Sequence, residues 1–151
     1  MAYLNRENGR NIYYEDNGNG ATAIILIHAW GMNLRAWDGT IPHLIDAGYR
    51  VVTLDHRGCG LSDKDFDDMS INAIASDVVA LVAELGLEKV MLNGWSIGGA
   101  IAIEAASILK STCCSLALTC PAAPVYLQKE DWSQAEKFAL QALALSEGIK
   151  D

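Results

Sequence analysis

The 151-residue sequence is short of basic residues, of long apolar runs and of histidine in its second half, and each shortage narrows what the protein does. Eleven Lys and Arg stand against nineteen Asp and Glu, a formal net charge of −8 and a pI near 4.7. Nucleic acids and anionic membrane surfaces are met with basic patches, so neither is expected as a partner. No stretch approaches the ~20 uninterrupted apolar residues of a membrane-spanning helix. The opening MAYLNRENGR has neither the basic nor the apolar region of a secretory signal. A soluble, cytoplasmic protein is expected. The four cysteines, Cys59, Cys113, Cys114 and Cys120, show neither metal-ligand spacing with histidines nor the density of a secreted disulfide scaffold. Reduced thiols and no metal are expected, and the adjacent Cys113 and Cys114 read as small buried hydrophobes beside a strand. The only histidines are His28, His43 and His56.

What is present is a chain of single-domain size, 51% apolar, organised around Lys89–Lys110, KVMLNGWSIGGAIAIEAASILK. A short apolar run breaks at Asn93-Gly94-Trp95-Ser96-Ile97-Gly98 and resumes with helical periodicity, which reads as strand, sharp turn, helix. Ser96 falls at the turn, where Gly94 and Gly98 leave room for a backbone that larger side chains would obstruct. Behind it, Ile101, Ala105 and Ile108 form an apolar helix face, and Gly99, Ala100 and Ala102 let that helix lie close to a sheet. Backbone N–H groups at the helix start point toward any anion that develops there.

Taken in order, Tyr3–Arg6 and Asn11–Asp16 flank Asn8-Gly9, a dipeptide suited to the positive φ angles of a hairpin turn. Ala23–Ile27 (AIILI) is a continuous apolar run, as in a strand buried on both faces. A helix is expected over about 35–46, with Trp37, Ile41, Leu44 and Ile45 inward, Pro42 as its weak point and Gly48 as its stop. Arg50–Leu54 is a second buried strand. Ser70 caps a helix through Leu85, with Ile71, Ile74, Ala75, Val78, Leu81 and Leu85 on its apolar face and Gly86 just past its end. Val90–Leu92 and Ser115–Thr119 are further strands. Strands alternating with helices at this spacing require parallel pairing through right-handed crossovers. The expected fold is α/β: a three-layer sandwich around a mostly parallel sheet with an N-terminal β-hairpin. Residues 1–126 form the core, and 127–151 form a C-terminal unit whose amphipathic helix spans Trp132–Ile149.

Three motifs follow predicted strands, and together they carry a resemblance: His28-Ala29-Trp30-Gly31, Asp55-His56-Arg57-Gly58-Cys59-Gly60-Leu61-Ser62, and Gly94-Trp95-Ser96-Ile97-Gly98. From Tyr3 to about Tyr126 the chain resembles the α/β-hydrolase superfamily, most of all its cofactor-free esterase, lactonase and haloperoxidase-like branch. The resemblance implies that Ser96 is the nucleophile and that the backbone N–H groups of Trp30 and Ile97 form the oxyanion hole. Ala29 stands where the family usually has glycine, a mild change because a backbone donor carries the role. His28, Gly94 and Gly98 are implied in support, and the Asp55 turn reads as a brace for the loop beside the elbow. The substrate implied is a small apolar ester or lactone. Residues 127–151 correspond to the start of a cap-like region, where Glu130, Asp131 and Glu136 read as solvated helix residues.

A serine hydroxyl needs a base to take its proton, and in this fold the order is Ser, then Asp or Glu, then His. No histidine follows Ser96. The sequence therefore reads as the N-terminal half of a serine hydrolase, a truncated α/β-hydrolase fold. The alternative is a catalytically impaired or small-ligand-binding module on the same scaffold. Stopping after Ser115–Thr119 leaves that strand at a sheet edge, so homo-oligomerisation is expected there or through the C-terminal helix.

Overall fold

The computed structural model describes residues 2–119. The expected C-terminal unit, 127–151, its helix and its acidic residues lie outside the described residues. A six-stranded sheet runs β1 (Ala2–Asn5), β2 (Asn11–Asn17), β3 (Ala23–Ile27), β4 (Arg50–Leu54), β5 (Val90–Trp95) and β6 (Cys113–Thr119) along the chain. In space the order is β1-β2-β4-β3-β5-β6. β1 and β2 form the antiparallel hairpin, β2 also pairs antiparallel with β4, and β4, β3, β5 and β6 are parallel. At the hairpin tip Asn8 and Gly9 both take positive φ, 56° and 71°, as the dipeptide predicts.

Among the described residues three α-helices cover the sheet: α1 (Ile41–Asp46), α2 (Ile71–Glu84) and α3 (Ile97–Leu109). Alternation along β3 shows why its apolar run is unbroken. Ile25 and Ile27 join Val52, Leu54 and Leu92 in a core closed by α2 and α3, whereas Ile24 and Leu26 face a smaller cluster with Trp37 and Val51, backed by Ile41 and Leu44 of α1. Ile25 is in register with Val52 on one side and Leu92 on the other, so one row of large side chains crosses the sheet beneath α2 and α3. Each such side chain contributes about 1.5–3 kcal/mol by leaving water. Among the described residues, no helix is long and apolar enough to cross a membrane.

Ser70 caps α2 through its side chain, which accepts from the Ala73 N–H at 3.2 Å, and Gly86 leaves the helix at φ 60°. Other expectations need correction. The single helix over 35–46 is instead a 3-10 turn at Leu34–Trp37 followed by α1. Pro42, which has no N–H to donate, fits only in the first turn of a helix and so marks a start. In so short a helix Ile41 and Leu44 face inward and Ile45 is left exposed. Ile108 is also exposed, at 46%: the buried face of α3 is Gly98, Gly99, Ile101, Ala102, Ala105 and Ala106, and among the described residues nothing covers its last turn. Cys113 is buried and Cys114 exposed, because successive residues of β6 point to opposite faces. β5 continues through Asn93 and Gly94 to Trp95, since pairing with β3 and β6 holds these residues in the sheet whatever their own preference.

Candidate active site

The turn between β5 and α3 carries a strained backbone, as does Lys110 at the other end of α3 (φ 50°, ψ −119°). Ser96 sits at φ 56°, ψ −117°, a conformation that a residue with a side chain adopts only when its surroundings impose it. Those surroundings are visible. A Cβ on Gly94 would collide with the carbonyl of Gly98, and one on Gly98 would meet the carbonyls of Ile27 and His28. The strand, the elbow and the end of β3 are therefore in backbone contact at two glycines. The Ser96 N–H is held by Thr119 O at 3.0 Å, and Ser96 O accepts from Gly99 N at 2.9 Å. The side chain is left half-buried at the N-terminus of a 13-residue helix.

β3 delivers the second loop. His28, fully buried, places Nδ1 2.8 Å from the Ala29 carbonyl, and Ala29 O accepts from Met32 N at 3.3 Å, so the loop turns tightly with Gly31 at φ 71°. Neither the Trp30 nor the Ile97 N–H has a hydrogen-bond partner among the described residues. The Trp30 side chain is 69% exposed, with Met32 partly exposed beside it in the chain. Trp37 and Trp95 instead pack edge to face, 6.4 Å apart at 73°.

The Asp55 turn braces this arrangement. Asp55, buried, accepts from Leu34 N at 2.6 Å and Leu61 N at 2.7 Å, joining the far end of the His28 loop to its own turn. Gly60, at φ 48°, faces that carboxylate so closely that a Cβ would overlap it. Ser62 donates to Asp55 O and accepts from Tyr13 N, which ties the turn to β2. Arg57 makes a two-pronged pair with Asp77 of α2, Nε to Oδ2 at 2.8 Å and Nη2 to Oδ1 at 2.7 Å, while its guanidinium lies 4.4 Å over the Phe66 ring. Arg6 reaches the same Asp77 at 2.7 Å. Asp77 carries no signal of this role in the sequence beyond an acidic residue beside the apolar stripe of α2.

His28 and His56 stack, 3.9 Å between ring centroids and 19° between planes. His56 N–H approaches His28 Nε2 at 3.4 Å, and neither ring nitrogen of His56 has a partner among the described residues. Burial, and then the neighbouring His28, pushes the His56 pKa down to about 3; burial also lowers that of His28. Both are neutral at pH 7. His43 lies on the exposed face of α1. Cys59 joins the pair: ligating atoms of His28, His56 and Cys59 all lie within 4.8 Å of one another. His56 and Cys59 stand three apart in one turn, and the segment leaving β3 supplies His28.

Residues 22–146 match the alpha/beta hydrolase fold family. The chain belongs to the alpha/beta hydrolase fold family. Among curated α/β hydrolases it is 35% identical over 99 residues to a non-heme haloperoxidase from Rhodococcus erythropolis, an alignment covering 66% of this chain and 36% of that protein. It is 34% identical over 100 residues to a bifunctional esterase/perhydrolase from Acinetobacter calcoaceticus, again 66% and 36%. An esterase structure from Exiguobacterium antarcticum superposes with a TM-score of 0.77 at 32% identity, covering 84% of this chain and 47% of the esterase. The chain spans less than half the length of these relatives.

Proposed function

We propose that this α/β hydrolase acts on carboxylic esters or lactones through an acyl intermediate on Ser96. The observation that carries the reading is the Ser96 backbone at φ 56°, ψ −117°, strain of the kind that exposes a nucleophile above a sheet. Ser96 Oγ attacks the substrate carbonyl, and the negative charge formed on its oxygen is taken by the N–H groups of Trp30 and Ile97. One such donor contributes about 3 kcal/mol to the transition state. His28, Gly94 and Gly98 hold the two loops in place, and Trp30 and Met32 offer an apolar rim suited to a small apolar substrate. The esterase and haloperoxidase relatives support this chemistry.

The hydrogen bonds of His28 and His56 go to Ala29 and to each other's segment. With no histidine from Ile97 to Asp151, the base that activates Ser96 is proposed to come from outside these 151 residues, on the β6 side of the sheet. The same observation favours the second reading, a scaffold that binds a small ligand without turnover. Hydrolysis of p-nitrophenyl acetate by the protein and by Ser96→Ala tests the proposal. A rate lost in the variant supports it, and equal rates contradict it.

A further inference from the structure

β3 and β4 pair in parallel with Ile27 opposite Leu54, so the segments that leave their C-terminal ends emerge side by side. This places His28, His56 and Cys59 in one cluster although 28 positions of sequence separate the two histidines. With Nδ1 of His28 engaged by the Ala29 carbonyl, Nε2 carries the lone pair, and its one contact is the long 3.4 Å approach of His56 N–H, which a bound ion would displace. His56 is 1% exposed and neither ring nitrogen has a partner, an exception to the rule that buried polar groups are hydrogen-bonded. Cys59 is half-buried, and its thiol completes a set of two imidazoles and one sulfur with no carboxylate. The nearby Asp55 carboxylate is committed to the Leu34 and Leu61 N–H groups.

We propose that His28, His56 and Cys59 form a binding site for a thiophilic transition-metal ion of the Zn²⁺ type, with a fourth position left to solvent on the Cys59 side. The donor set suits Zn²⁺ and Co²⁺ and is wrong for Mg²⁺ or Ca²⁺, which take oxygen ligands. On binding, the Cys59 S–H bond breaks, the proton passes to solvent and the sulfur pair forms the metal bond, so one proton is released per ion. Tetrahedral ligand atoms stand roughly 3.5 Å apart around Zn²⁺. The stacked rings must tilt until their in-plane lone pairs converge. His28 holds Ala29 through its other nitrogen, so this movement reaches the loop that carries Trp30.

The test reads the metal–thiolate bond and not ester turnover, and so stands apart from the proposed activity. Titration of the protein with Co²⁺ gives a thiolate-to-cobalt charge-transfer band that saturates at one equivalent and is displaced by Zn²⁺. The band is lost in Cys59→Ser and in His56→Phe, with Cys113, Cys114 and Cys120 still present. A band that never forms, or that survives in Cys59→Ser, overturns the proposal. Should His56→Phe fail to fold, alkylation of the unaltered protein by iodoacetamide, followed by mass spectrometry, decides the same question. One equivalent of Zn²⁺ slows modification of Cys59 at least tenfold and leaves that of Cys114 unchanged; equal slowing or none contradicts the site.

Discussion

Gly98 lies against the Ile27 carbonyl so closely that no side chain fits between them. The contact joins the first turn of α3 to the last residue of the strand that leads into the Trp30 loop. Ile27 is also in register with Gly94, so the elbow and that loop are located by the same two strands. A methyl group at Gly98 pushes α3 away from β3. Misplacement of reacting groups by about 1 Å costs on the order of 10²-fold in rate. Gly98→Ala is therefore expected to lower kcat for p-nitrophenyl acetate by about two orders of magnitude. The folded far-UV dichroism persists, and steady-state kinetics beside dichroism separate the two effects.

Asp77 is fully buried between two arginines, Arg57 on the Asp55 turn and Arg6 beyond β1. Removing one partner of such a group leaves an uncompensated buried charge, at a cost of about 3–5 kcal/mol. Asp77→Ala is expected to lose that much in urea unfolding. The double variant Arg57→Met, Asp77→Leu recovers part of the loss, because neither charge then remains buried opposite a missing partner. Equal stability of Asp77→Ala and the unaltered protein contradicts the bracing role.

The two buried histidines make stability fall with acid. His56 has a folded pKa of about 3 against an ordinary value of 6.5, and His28 is lowered as well. Between these values the unfolded chain binds protons that the folded chain refuses, so unfolding is favoured as pH drops. The contribution is complete above pH 6.5 and is lost progressively toward pH 3. Urea midpoints measured from pH 7 to pH 4 are expected to decline, and less steeply in His56→Phe. A parallel decline in the variant contradicts this origin.

β6 pairs only with β5 among the described residues, and a strand edge without a partner is a template for pairing with a second chain. We expect light scattering at micromolar concentration to show a dimer or larger species, and a lysine placed at Ala117 to weaken it. A monodisperse monomer contradicts self-association.

Much of the fold is legible in the sequence because its signals are local and agree with one another. The AIILI run, the Ser70 cap with Gly86 beyond the helix, and Asn8-Gly9 each state their structure within a few residues. What is not legible depends on contacts made at a distance. Ile45 and Ile108 have the right spacing for a buried face but lie where no described element covers them. Asp77 resembles any acidic residue on a helix until Arg57, 20 positions earlier, is brought to it. The cluster of His28, His56 and Cys59 exists only because β3 and β4 are neighbours, a pairing that spacing along the chain does not display. Ser96 stands out in the sequence because its glycines are sequence neighbours.

The most direct measurement is fluorophosphonate labelling of the purified protein followed by peptide mass spectrometry, since the reagent reacts with an activated serine and passes over one that is merely exposed. A single adduct on the peptide containing Ser96, absent in Ser96→Ala, is the result predicted for a nucleophile. An unlabelled Ser96 in folded protein, or an adduct elsewhere that persists in Ser96→Ala, would contradict the hydrolase reading and leave the scaffold as a binding module.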